Sequence, residues 1–369
     1  MIFFRAFAFV GSLLLHLQIA DGFSTVQKPN FGRSKNMALP PSLDRLSSTI
    51  TAVNRRSSFI KRNLSNLRAS KGEVEEVEEE VDKDEASVEK KLVGRKKRLR
   101  MGYQLASITY MATSLLSLMS WGSLTASAFY YVVGGGPLSM AVILYILKGA
   151  ATNDRLGSDT YKRLNVAVIS YALIQLLIPA GNMEWPLPIF LKASGFLALV
   201  NGIKGYGYGC LGWDKSKDMS AVLTDTKEGI KSTMRGMTTI KAKSLDYTFG
   251  TLLLGSMTFF KLKELCTMLF FSSSETATSL SIFTRLSKLA RFGLMTAIMY
   301  TLKDASDRDR LSGTTFVQLN FMAAAAFLSI ALYLLPTYGK VSNAQVLTAA
   351  ALCVTTFFKG FSNKKTKKA

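Results

Sequence analysis

The sequence predicts an all-α polytopic membrane protein: eight transmembrane helices arranged as two parallel four-helix repeats. Three observations carry that expectation. Apolar residues make up 48% of the 369 and fall in long continuous runs rather than in strand-like alternation. One segment between such runs occurs twice. Basic residues gather on the side that an even span count assigns to both termini.

The repeated segment comes first, because a missed repeat misplaces the whole architecture. Residues 147–165 read LKGAATNDRLGSDTYKRLN and residues 302–320 read LKDASDRDRLSGTTFVQLN, with nine of nineteen positions matching at an offset of 155. The likeness resumes at Ile203-Lys204-Gly205-Tyr206 and Phe358-Lys359-Gly360-Phe361 at the same offset. Each copy joins the second and third apolar runs of a set of four.

The N-terminus reads as an address. Arg5, the apolar run from Ala6 to Leu15 and the small-residue pattern Ala20-Asp21-Gly22 form a signal peptide over 1–22. Residues 23–72 carry ten Lys or Arg, twelve Ser or Thr and a single acid, Asp44, which is transit-peptide composition. A signal peptide followed by a transit peptide, with Phe23 just after the cleavage point, resembles the bipartite plastid-targeting sequence of algae with complex plastids, such as diatoms. The resemblance implies an address and no activity. The alternative is a protein of the endomembrane system with a basic tail.

Residues 73–100 form a charged arm, expected to be disordered or loosely helical. It has nine acids in EVEEVEEEVDKDE and a basic block in KKLVGRKKRLR. Such an arm offers a stromal protein partner a docking segment.

The first four-helix unit occupies 101–203, with apolar runs at about 103–122, 127–148, 164–181 and 187–203. The second occupies 247–360, with runs at about 247–270, 277–302, 315–336 and 342–359. Most approach the ~20 residues that cross ~30 Å of hydrocarbon. Four spans per unit is even, so both units enter the membrane in the same direction. The face holding both termini then carries the 90–100 block, Lys148, Arg155, Lys162, Arg163, Lys204, Lys303, Arg308, Arg310 and the basic tail 361–369. In a plastid that face is the stroma, where insertion of an imported chain begins.

Between the units, 204–246 is an amphipathic connector. It opens with KGYGYGCLGW, read as a flexible joint, and continues with apolar residues at helical spacing interleaved with Lys227, Lys231, Arg235, Lys241 and Lys243. Such a helix lies on anionic lipid or tethers the halves.

Chemistry-bearing residues are few. The one histidine, His16, falls in the signal segment, and Cys210, Cys266 and Cys353 form no CxxC. Histidine-ligated metals, zincin sites and histidine general bases therefore have no parts, and no enzyme, cofactor, metal or nucleic-acid role is expected. Two places suit a solute site. The span containing Gly134 to Pro137 is interrupted, and broken spans mark carrier sites. Its counterpart in the other half carries Arg285, Lys288 and Arg291, a basic vestibule for a small anionic solute, with Glu264 the acid available to pair with Lys288 or Arg291. The repeated loops supply a rim of Asp154, Arg155, Asp309 and Arg310, with each aspartate expected to cap the following helix. The expected function is a solute carrier or permease of a plastid membrane with a site between the halves. The alternative is a non-transporting assembly or scaffold protein of plastid membranes.

Overall fold

The computed structural model describes residues 71–120, 125–178, 186–212, 219–271, 279–337 and 343–365. The signal segment, the transit-like segment up to residue 70 and the last four tail residues lie outside the described residues. The helices are α1 Lys71–Ser120, α2 Ala126–Val133, α3 Pro137–Thr152, α4 Asp159–Leu177, α5 Leu187–Leu211, α6 Met219–Thr238, α7 Leu245–Phe271, α8 Ser279–Asp307, α9 Thr314–Leu334 and α10 Asn343–Lys365. No strand occurs among the described residues. Residues 96–365 belong to one compact unit and 71–95 to another, of which the helical backbone is described. The backbone of the charged arm is helical, one of the two forms expected of it.

The described parts of the eight apolar runs are helical, except for the break at Gly134–Gly136 and a bend at Ile178. Among the described residues, three helical stretches are long and apolar enough to cross a membrane: Ala126–Thr152, Leu187–Leu211 and Thr314–Leu334. Charges dilute others: α7 carries Lys261, Lys263 and Glu264, and α8 carries Arg285, Lys288 and Arg291.

The central helices are α3, α4, α8 and α9. Helix α4 packs along α5 and α8, α8 along α7, and α9 along α10, α2 and α3. One apolar core joins them, with Met140, Ile143, Leu147, Leu164, Ile298, Leu302, Leu319 and Met322 fully enclosed. Helices α1, α5, α7 and α10 instead present large apolar side chains outward, among them Ile108, Phe196, Phe259, Phe260, Leu347 and Phe358.

Several polar side chains inside this core are paired. The Tyr110 hydroxyl donates to Gln175 Oε1 at 2.7 Å, and Gln175 Nε2 donates to Leu191 O at 2.6 Å, tying α1, α4 and α5 together. Lys192 Nζ donates to the carbonyls of Leu176 and Ile178, closing the C-terminus of α4. The KGYGYGCL joint is helix, not a loop. Glycine weakens a helix by about 1 kcal/mol, but here it permits contact: a Cβ on Gly205 would collide with the Tyr103 hydroxyl. The connector then forms α6 as its spacing predicts.

Candidate functional site

Both repeated loops follow the same path. Asp154 and Asp309 are the two non-glycine residues with positive φ among the described residues, at 52° and 54°. Each terminates a helix, with the next amide reaching back: Arg155 N to Ala150 O at 2.9 Å and Arg310 N to Ala305 O at 2.8 Å. Aspartate is among the few side chains that tolerate this left-handed position. The expected capping role is therefore corrected. Ser158 and Gly313 occupy the N-caps of α4 and α9, and the aspartates end α3 and α8. Asp154 pairs with Lys96 at 2.7 Å and Asp309 with Lys243 at 3.0 Å, while Arg155 and Arg310 are exposed.

Nearly two turns into α4 and α9 the likeness becomes a buried bond. Tyr103 donates to Asn165 Oδ1 and Tyr247 to Asn320 Oδ1, both at 2.6 Å. Each asparagine also donates to its own helix, to Tyr161 O and Phe316 O, both at 3.0 Å. The loop ends meet where Tyr161 and Thr315 share a 3.0 Å hydroxyl bond.

The end of α8 is more heavily clamped than that of α3. Lys303 is 1% exposed, and its Nζ donates to Gly236 O and Asp307 Oδ2, both at 2.9 Å. Asp307 Oδ1 accepts from Ser244 Oγ at 2.6 Å. Burial raises the Asp307 carboxyl, but the hydrogen bonds from Ser244 and Lys303 and the charges of Lys303 and Lys241 outweigh it, holding the group below its ordinary value.

The two candidates in the apolar runs meet each other. The chain bends between α2 and α3 at Gly134–Gly136, and Pro137 starts α3. Gly135 has φ 80°, and a Cβ there would lie 2.7 Å from Arg291 O. The backbone of α8 thus rests on the break. The Arg291 guanidinium lies 4.6 Å from the Tyr130 ring centroid and 4.2 Å from that of Tyr131. It is 3% exposed, Nε donates to Ser287 O at 3.1 Å, and Nη1 and Nη2 have no protein acceptor. Glu264 takes different partners from those expected: Lys261 at 2.6 Å and Arg285 at 3.3 Å. Lys288 lies within the field of that cluster.

A cleft of about 810 Å³ opens elsewhere, between α4, α6, α7 and α8. Its α4 wall is one helical face running from Asp159 and Arg163 through Ala167 and Ser170 to Ile174. Its α8 wall is kept low by Ala290, Gly293 and Ala297. Helix α6 covers one end, with Thr226 bonded to Tyr206 at 2.8 Å. Asp159, Lys162, Arg163 and Glu228 line it, two acids and two bases. Arg163 is held by Asp304 at 2.9 Å and stacked 4.9 Å from the Tyr300 ring centroid.

None of the ten residues singled out from the sequence lines this cleft. The signal that points to it is weak: small residues at 290, 293 and 297 in α8, facing Ser170 on α4. Among the described residues no three His, Cys, Asp or Glu side chains converge as metal ligands.

Comparison with protein-family models, with characterised proteins and with solved structures finds no match to this chain. The fold defines the class: among the described residues the protein is all-α, with three helices able to cross a membrane by length and apolarity.

Proposed function

We propose that this is a multi-pass plastid-membrane protein built of two co-oriented four-helix units, and that it is a carrier whose site is the cleft between them. Internal correspondences support the duplication. The paired tyrosines lie 144 residues apart and the paired asparagines 155 apart. The difference of eleven falls between Tyr247 and Arg291, mostly in the greater length of α7. The packing is reciprocal, as a two-fold relation between units requires. The second span of each unit packs on the third span of the other: α8 on α4, and α2–α3 on α9. The first and last spans are outermost, where Ile108, Phe196, Phe259 and Phe358 would meet lipid. The plastid address rests on the presequence and on the basic face.

The cleft carries the carrier reading, because it takes its walls from both units. An open cleft thus lies at the interface between them. Its charge-balanced lining offers no basic vestibule, so the anionic-solute version rests on Arg285, Lys288 and Arg291 alone. In proteoliposomes, wild-type protein should move at least one of inorganic phosphate, a monocarboxylate, a neutral sugar or a fluorescent lipid. The variant Gly293→Trp should fall to the protein-free rate with its melting temperature kept. Wild-type flux in the variant, or no flux of any probe with wild type, would overturn the carrier reading.

A further inference from the structure

The cleft has a polarity gradient that selects among ligands. At the α6 end its lining is hydroxyl-bearing and charged: Tyr206, Thr226, Ser232, Thr233 and Tyr300 stand among Asp159, Lys162, Arg163 and Glu228. The four charges sum to zero, and Arg163 is already compensated by Asp304. Asp304 also holds Arg308 at 3.0 Å, and Arg308 lies 3.9 Å from Asp159. A net-anionic head would have to displace these pairs and desolvate against two carboxylates. An uncharged head that exchanges hydrogen bonds with hydroxyls meets no such cost.

The far end is a hydrocarbon surface in effect. Thr258 and Thr296 line it, but each hydroxyl donates to its own helix, to Leu254 O and Phe292 O, both at 2.7 Å. The two hydroxyls also lie 3.2 Å from each other, so both are already occupied, beside Ile174, Leu262, Leu289 and Leu294. A water-soluble sugar would find no partners at this depth.

The rim shows where a ligand enters. Val166 and Leu262 line the cleft and are 44% and 46% exposed. Both sit on flanks that face lipid if α4 and α7 are spans. The opening is then lateral, toward the bilayer rather than toward water.

We infer that the cleft takes a lipid from the surrounding bilayer, one with an uncharged hydroxylated head held under α6 and a hydrocarbon chain laid along Ala290, Gly293 and Ala297. This rests on the membrane reading above but not on transport.

The test is lipid retention. The full chain is reconstituted in vesicles of equal parts monohexosyl diacylglycerol, phosphatidylglycerol and phosphatidylcholine. It is then extracted in mild detergent, and retained lipid is counted by mass spectrometry. The hexosyl lipid should be enriched about tenfold over phosphatidylglycerol. Gly293→Trp should abolish the enrichment. A Cβ at 293 meets only Thr258 Cγ2, at 3.8 Å, so its backbone site is open. Ser170→Trp, at an exposed position on the opposite wall, should do the same, while Leu347→Trp on α10 should leave it intact. Preference for phosphatidylglycerol, equal retention of all three lipids, or enrichment that survives both cleft variants would overturn the inference. Enrichment without flux would remove the carrier reading alone, and flux of a water-soluble probe without enrichment would remove the lipid alone.

Discussion

The Tyr247 hydroxyl donates to Asn320 Oδ1 at 2.6 Å inside the core, and both side chains are fully buried. The same bond joins Tyr103 to Asn165 in the other half. Each asparagine fixes a first helix against a third helix while its amide group bonds its own backbone. Replacing either asparagine by alanine leaves a phenol hydroxyl buried without its acceptor, a loss of about 1–3 kcal/mol. Asn165→Ala and Asn320→Ala should therefore lower the melting temperature in detergent by similar amounts. Tyr103→Phe, which removes the donor, should cost less than Asn165→Ala. Unequal effects of the two asparagine variants would show that the bonds are not equivalent supports.

The left-handed aspartates give a second expectation. A β-branched residue at φ near 50° costs about 1–2 kcal/mol. Asp309→Val should be destabilised by at least that amount, and Asp309→Asn by clearly less, because asparagine also tolerates that backbone position. Asp154→Val and Asp154→Asn should follow the same order. Thermal unfolding of the four variants checks it.

Arg291 is buried with two guanidinium nitrogens that have no hydrogen-bond partner. Stacking on Tyr130 and Tyr131 returns about 0.5–2 kcal/mol per ring, against a desolvation cost of several kcal/mol. Arg291→Met, which keeps the volume, should raise the melting temperature. A fall would show that the guanidinium holds α8 to the Gly134–Gly136 break by more than its backbone contact.

The Asp307 clamp should show itself at low pH. Its folded carboxyl is held below its unfolded value of about 3.9, so its stabilisation is present above that value. It is lost as pH falls through the lower folded value. The difference in melting temperature between wild type and Asp307→Asn should be constant from pH 6 to 5 and shrink toward pH 3. A difference unchanged at pH 3 would contradict the assigned ionisation.

Hydropathy placed the helices well because continuous apolar runs leave the backbone little alternative to helix. The break at Gly134–Gly136 and the amphipathic α6 were also legible, from glycine, proline and spacing. The helical 204–211 segment was not. Its glycines look like a flexible joint until Tyr103 is placed against Gly205. The aspartates misled for a similar reason: Asp before a helix reads as a cap, and its left-handed φ is set by the preceding turn. The cleft was hidden because α4, α6, α7 and α8 contribute one wall each, and no local pattern announces a tertiary gap. Arg163 and Asp304, 141 residues apart, are an ion pair only in the fold.

The co-orientation of the two units is the claim on which the rest depends, and impermeant maleimide labelling of sealed vesicles tests it most directly. With Cys210, Cys266 and Cys353 replaced by alanine, single cysteines are placed at Asn153, Ser312 and Asn343. Asn153→Cys and Ser312→Cys should label from the same side, and Asn343→Cys only after the membrane is opened or from the other side. Labelling of Asn153→Cys and Ser312→Cys from opposite sides would contradict the account.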